Sequence, residues 1–361
     1  MYFIEKSQYV IIMQAAFLYN DIYRKSSFGE KHPITPKRIS NVYDLANIMK
    51  FKDSLTFIHN QIASEEELSL FHDKNYIKVL KQTESTQKIS KEDSKKYNLG
   101  TIDNPIFTEM YKRHATSTGS MVLASELITQ KYNYIFSPAA GAHHGKYNKA
   151  SGFCYFNDIV TGIIILKKKG FKRILYFDMD AHYGDGVIEH FKKDKDVFTI
   201  SIHEEGLWPR TGNYEYDLKN NLINYPVKPG FNDKDFLNLF KKDIFLSNVR
   251  RFNPQIVLLQ MGADCLKEDH MSKLELSNNA MMFLIKEIKK ISKKIILMGG
   301  GGYNPWICLR AWIYNLATLI NRIDLLKLNS ESKYFLKSLK WKKEPKQEWI
   351  TSIIDYPNIF N

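Results

Sequence analysis

Ile174-Leu175-Tyr176-Phe177-Asp178-Met179-Asp180-Ala181-His182-Tyr183-Gly184-Asp185-Gly186 begins as an unbroken apolar run and ends in a cluster of ionisable side chains. A short apolar run bounded by polar residues reads as a buried strand. The same arrangement recurs along the chain: residues 134–136 before Ser137 to His144, 197–202 before His203, 256–259 before Asp264 and 295–298 before Gly299. Between these runs, residues 158–168, 235–249 and 277–291 place apolar side chains at helical spacing. Strand and helix in alternation predict an α/β fold, a single-domain parallel sheet with helices on both faces. The apolar stretch 9–19 reads as a first core strand.

In an open parallel sheet, ligands sit in the crevice outside the carboxyl ends of the strands. The residues just after the apolar runs therefore share one place: His143 and His144, then Asp178, Asp180 and His182, then Asp264, then Tyr303. That convergence is the physical argument for an active site. No internal repeat or low-complexity linker divides the chain. One domain over 1–361 is expected, with a core at about 9–320 and a peripheral segment at 321–361. Residues 87–96 read as a polar surface loop, and the Lys-rich stretch 329–349 as a peripheral helix or tail.

With 44% hydrophobic and 25% charged residues, the chain is neither disordered nor fibrous and is long enough to bury a large core. Its net charge of +13 comes mainly from scattered Lys, as in Lys167 to Lys169 and Lys192 to Lys195. Nucleic-acid readers concentrate Arg and aromatics on one element, so a solvated basic surface is the expectation rather than direct nucleic-acid binding. Cys154, Cys265 and Cys308 fit neither a disulfide framework nor a Cys-based zinc site, and point to a reduced, cytoplasmic setting. The stretch 9–19 contains Gln14, is too short to span a bilayer and lacks the marks of a secretion signal. No membrane association is expected.

Period-two spacing puts Asp178, Asp180 and His182 on one side of an extended segment, where two of them can reach one metal ion. Taken alone, an Asp-x-His after a strand is more often a turn or a helix cap. Asp264, ending another apolar run, supplies a candidate third ligand; on its own it reads equally as an N-cap. Three protein ligands leave a coordination position open, as a catalytic rather than a structural zinc requires. The His143-His144 pair follows the small residues Ala139 to Ala142. Adjacent histidines in isolation are usually a surface accident, whereas beside a metal they fit water activation and leaving-group protonation. Four consecutive glycines, Gly299 to Gly302, precede Tyr303. They make either a plain sharp turn or a loop aiming the Tyr303 hydroxyl at an oxyanion.

Taken together, the sequence resembles the arginase/deacetylase superfamily, and within it the histone deacetylase and acetoin-utilisation-type proteins. The likeness runs from about His32 to about Ala317. It rests on Pro36-Lys37-Arg38, on His143-His144, on Ala150-Ser151-Gly152-Phe153-Cys154-Tyr155-Phe156-Asn157-Asp158, on the run from Asp178 to Gly186, and on Gly262-Ala263-Asp264 with Gly299 to Tyr303. The resemblance implies zinc on Asp180, His182 and Asp264, with His144 as general base and His143 as its partner in protonating the leaving amine. It implies that Asp178 orients His143, that Asp185 orients His144, and that Tyr303 stabilises the tetrahedral intermediate. Gly152, Phe153, Trp208 and Met271 match the walls of an acyl-lysine channel, Asp103 its rim carboxylate, and Arg38 an inner cavity. A structural potassium ion is implied at main-chain oxygens around Asp178, Asp180 and His182, with the Ser201 hydroxyl and the Ile202 carbonyl.

The sequence departs from the family at Ala140-Gly141-Ala142 and Gly145 around the His pair, at Tyr183, and across 214–224, where the usual glycine spacing is missing. None of these removes a ligand. The expected partner is an acyl-lysine protein or peptide, or a small acylated amine such as an acetylated polyamine. An arginase-like ureohydrolase is the nearest rival, but it needs further Asp and His ligands for two manganese ions. A non-catalytic acyl-amine binder is the rival of another class, and it has no need of a protonation pair.

Overall fold

A computed structural model describes residues 14–29, 32–35 and 37–360. Its centre is one sheet whose strands are β1 (Ala15–Tyr19), β2 (Thr56–His59), β3 (Tyr134–Ser137), β4 (Ile174–Asp178), β5 (Val197–Glu204), β6 (Glu215–Asp217), β7 (Leu222–Val227), β8 (Ile256–Gln260) and β9 (Ile295–Met298). The order across this nine-stranded sheet is β2-β1-β3-β9-β8-β4-β5-β7-β6. All pairings are parallel except the hairpin β6/β7.

The period of two sorts each central strand between two cores. Leu175 and Phe177 of β4 join one buried cluster, with Val257, Leu259 and the helices Asn278–Ile291 and Pro305–Leu319. Ile174 and Tyr176 join the other, with Ile256, Leu258 and the helices Met110–Gln130 and Asp158–Lys168. Strands apolar on both faces are what a sheet covered by helices on both sides demands.

The carboxyl ends of β3, β9, β8 and β4 are aligned, and β5 and β7 run three residues past them. Ser137 pairs with Met298, Met298 with Gln260, Gln260 with Asp178, Asp178 with Ser201 and Ser201 with Asn224, giving one row across β3, β9, β8, β4, β5 and β7. From β4 the chain continues to its neighbour β5, and from β8 to β9 on the opposite side. The gap between β4 and β8 is thus a topological switch point, where such sheets open a crevice.

Several sequence expectations need correction. Residues 235–249 are not one helix but two, Asp233–Lys241 and Ile244–Phe252, broken where Asp243 takes a left-handed φ of 51°. Residues 87–96 are not a loop throughout: Ser90 caps a helix Lys91–Tyr97, and Tyr97 buries its ring. The carboxyl-terminal stretch is helical at Ser330–Ser338 and Gln347–Thr351, and it is not peripheral. Leu336, Trp349 and Ile353 are buried in the main core, Trp306 Nε1 donates to Leu336 O at 2.8 Å, and Arg310 Nε donates to Ser352 O at 2.7 Å. Lys on one face of these short helices obscured a second, apolar face. The strand expected over 9–19 is observed from Ala15; residues 9–13 lie outside the described residues, as does Pro36. Among the described residues no helix is long and apolar enough to cross a membrane.

Candidate active site

The segment after β4 and the turn after β8 face each other across the switch point. They bring ligating atoms of Asp180, His182 and Asp264 within 4.8 Å of one another, all three buried. His182 Nδ1 lies 2.9 Å from Asp264 Oδ2 and 3.1 Å from Asp180 Oδ1. The remaining carboxylate oxygens are held by backbone: Gly301 N donates to Asp180 Oδ2 at 2.7 Å, and Ala181 N to Asp264 Oδ1 at 3.0 Å. Two buried carboxylates converging on one point oppose each other. Burial and the Asp180 charge together push the Asp264 carboxyl up. A cation between them relieves that repulsion, and an Asp, His, Asp set suits a divalent ion with an open position, so the residues fit a metal. Asp178, the third member of the period-two set, turns elsewhere: its Oδ1 accepts from Asp180 N at 3.0 Å.

The two histidines sit at the end of the loop leaving β3, each against its own carboxylate. His143 Nδ1 is 2.8 Å from Asp178 Oδ2, and His144 Nδ1 is 2.7 Å from Asp185 Oδ1. A carboxylate accepts only, so each Nδ1 carries the proton and each Nε2 is left for chemistry. The rings lie 3.9 Å apart between centroids, yet their environments differ. Burial opposes charge on both. At His143 the carboxylates of Asp178 and Asp180 outweigh it and lift the imidazole to about 9. At His144 burial, reinforced by His143, wins over Asp185 and lowers the imidazole to about 3. One histidine favours its charged form and the other stays neutral, with the Nε2 lone pair unprotonated.

Tyr303 completes the ring of functional groups. Burial drives its hydroxyl well above the ordinary phenol range, which keeps it a donor. The glycines before it are functional in shape. Gly300 and Gly302 take φ of 109° and 134°, and a Cβ on Gly301 would overlap Asp264 Oδ2. Gly301→Ala is therefore expected to weaken metal affinity about tenfold or more, read by calorimetric titration of the metal-free protein. Unchanged affinity would mean that the loop can shift away from Asp264.

Asp103, Gly152, Phe153, Trp208 and Met271 line one channel with His144, His182 and Tyr303, enclosing about 250 Å³. Phe153 is fixed by a hydrogen bond from its N to Asn104 Oδ1 at 3.1 Å, and Trp208 meets the His144 ring edge-on at 4.6 Å. Arg38 lines a second, inner cavity behind the His pair, with Nη1 donating to Gly302 O at 2.9 Å. Ser201 stands beside Asp178 across β4 and β5, with its Oγ 2.9 Å from His203 Nδ1; Ile202 is the next residue of β5. The chain thus brings together every candidate catalytic, metal and channel residue.

Sequence reasoning passed over three contributors. Tyr176 OH donates to Asp178 Oδ2 at 2.6 Å; its position two residues before Asp178, on the same face of β4, is a signal. Asp158 accepts from Gly141 N and Ala142 N and fixes the turn before the histidines. Asp269 Oδ2 accepts from Tyr303 N at 2.6 Å and Asn304 N at 3.0 Å, anchoring the tyrosine; nothing in the sequence marked it.

The histone deacetylase domain family matches residues 32–319. The putative histone deacetylase 2 of Caenorhabditis elegans is 32% identical over 319 residues, covering 86% of this chain and 62% of that protein. Acetoin utilization protein AcuC of Bacillus subtilis is 32% identical over 316 residues, covering 82% and 80%. Histone deacetylase 1 of Homo sapiens is 32% identical over 303 residues, covering 81% and 62%. The chain thus spans about 62% of the length of the nematode and human relatives. Two crystal structures, of an HDAC homologue in complex with SAHA and of an HDAC homologue from Aquifex aeolicus, each match with a TM-score of 0.85 and 34% identity, covering 95% of this chain and 94% of theirs.

Proposed function

The chain belongs to the histone deacetylase family, and from that premise we propose that it is a zinc-dependent amide hydrolase that removes an acetyl or similar acyl group from a lysine or another amine. Asp180, His182 and Asp264 would hold the zinc, which when bound acts as a Lewis acid toward the acyl carbonyl and the attacking water. The observation that carries the reading is the pair of unlike His–Asp couples set beside that triad, with a protonated Tyr303 opposite.

The chain's own groups then divide the work. The channel of Phe153, Gly152, Trp208 and Met271 packs the methylene stem of the substrate, and Asp103 at its mouth accepts from the substrate's backbone or second amine. Neutral His144 takes the proton of the attacking water at Nε2. Tyr303 donates a hydrogen bond to the carbonyl oxygen as that oxygen gains charge. His143, whose charged form Asp178 favours, delivers a proton to the departing nitrogen as the C–N bond breaks, leaving a free amine and a carboxylate. We further propose a potassium ion beside Asp178, held by main-chain oxygens of Asp178, Asp180, His182 and Ile202 with the Ser201 hydroxyl; the adjacency of Ser201 and Asp178 supports it.

The test is a panel of acetyl-lysine peptides and acetylated polyamines incubated with zinc-loaded protein, with and without a hydroxamate chelator. Release of acetate that the chelator suppresses is expected. Silence across the panel from protein with zinc bound would overturn the reading in favour of a binding role.

A further inference from the structure

The two His–Asp couples differ in what else each carboxylate holds. Asp178 is surrounded by neutral donors: Tyr176 OH on the oxygen that meets His143, and Asp180 N on the other. Asp185 instead spans an imidazole and a cation. Its Oδ1 meets His144 at 2.7 Å, and its Oδ2 lies 2.6 Å from Lys146 Nζ. Lys146 also reaches Glu189 Oε2 at 3.2 Å, one turn further along the helix Asp185–Phe191. Burial works to raise the Asp185 carboxyl; the His144 hydrogen bond and the Lys146 ammonium outweigh it and hold it below the usual range.

Exposed ion pairs are worth little, but this one is largely shielded: the Lys146 side chain is 22% exposed and that of Asp185 8%. Its backbone is also fixed. Asn157 Nδ2 donates to Gly145 O at 2.9 Å, and Lys146 N donates to Lys149 O at 3.2 Å. The loop that carries His144 therefore carries, two residues on, the cation that grips the far side of its carboxylate.

We propose that Lys146 is a positioning residue for the general base: by occupying one oxygen of Asp185 it commits the other to His144 Nδ1 and keeps Nε2 aimed at the attacking water. This rests on the reading of His144 as that base. Without the ammonium, Asp185 is free to rotate about its side-chain bond, and its second oxygen competes for the imidazole proton. A partner that orients a functional group in this way typically contributes about 10- to 100-fold when removed.

The experiment compares Lys146→Gln, Lys146→Met and Lys146→Arg with the parent protein, each matched for zinc content and thermal unfolding. The Gln and Met variants are expected to lose about tenfold or more in kcat with KM within about twofold, and the Arg variant to recover most of it, because a guanidinium still supplies the cation. In an Asp185→Asn background the further loss on removing Lys146 is expected to shrink below about twofold, since the two act in series. Parent-like kcat in the Gln variant, a loss in KM rather than kcat, or an undiminished loss in the Asp185→Asn background would each overturn the proposal. If the Met variant fails to fold, the Gln and Arg pair still decides it. An inactive parent protein counts against the deacetylase reading instead, so the two failures are distinguishable.

Discussion

His144→Ala is expected to lower kcat about 10²- to 10⁴-fold while leaving zinc stoichiometry and thermal unfolding close to those of the parent. The imidazole makes no hydrogen bond to Asp180, His182 or Asp264: its one side-chain hydrogen bond goes to Asp185, and it meets the His182 ring only edge-on, 5.9 Å between centroids. Removing it takes away the only neutral imidazole in the couple pair, because His143 is biased toward its charged form by Asp178 and Asp180. His143 cannot substitute without first losing a proton that two carboxylates favour. The measurement is steady-state turnover of an acetyl-lysine peptide beside metal analysis of the same sample. Turnover within about tenfold of the parent would remove His144 from the role of base.

Tyr303→Phe carries the second largest expectation, a fall of about 10²- to 10³-fold in kcat with little change in KM. The hydroxyl's pKa is driven upward by burial, with Asp264 and Asp180 adding, so it remains a proton donor throughout the working range. Its main chain is pinned by Asp269, so the substitution keeps the ring in place and deletes only the donor. A hydrogen bond that strengthens only as the carbonyl oxygen gains charge affects turnover rather than ground-state binding. A rise in KM at constant kcat would make Tyr303 a substrate-binding wall instead.

Much of this was legible in the sequence because the central strands are buried on both faces. Residues 174–178, 256–260 and 295–298 have no polar alternation to confuse with a helix, and the chemistry-bearing residues begin where they stop. What was missed lacked that contrast. β2 is an edge strand with Thr56 and His59 exposed, β6 has three residues, and β7 carries Pro226. The helix Met110–Gln130 is buried around most of its circumference by Ala, Ser, Thr and Gly, so it shows no apolar stripe. In the site, motif order singled out the Asp and His side chains that the fold gathers, whereas Asp269 and Lys146 make their contacts, to the Tyr303 and Asn304 main chain and to Asp185 and Glu189, at separations that motif spacing does not encode.

The four consecutive glycines before Tyr303 have the most backbone freedom to lose on ordering, and their restraints run to the candidate metal triad and its neighbours: Gly301 N to Asp180, and Ala263 N to Gly301 O. Cation uptake at the proposed site and the ordering of the tyrosine arm would therefore be thermodynamically linked, and linkage is reciprocal. On the proposed function, a substrate carbonyl that engages the Tyr303 hydroxyl and orders this arm would also strengthen retention of the metal.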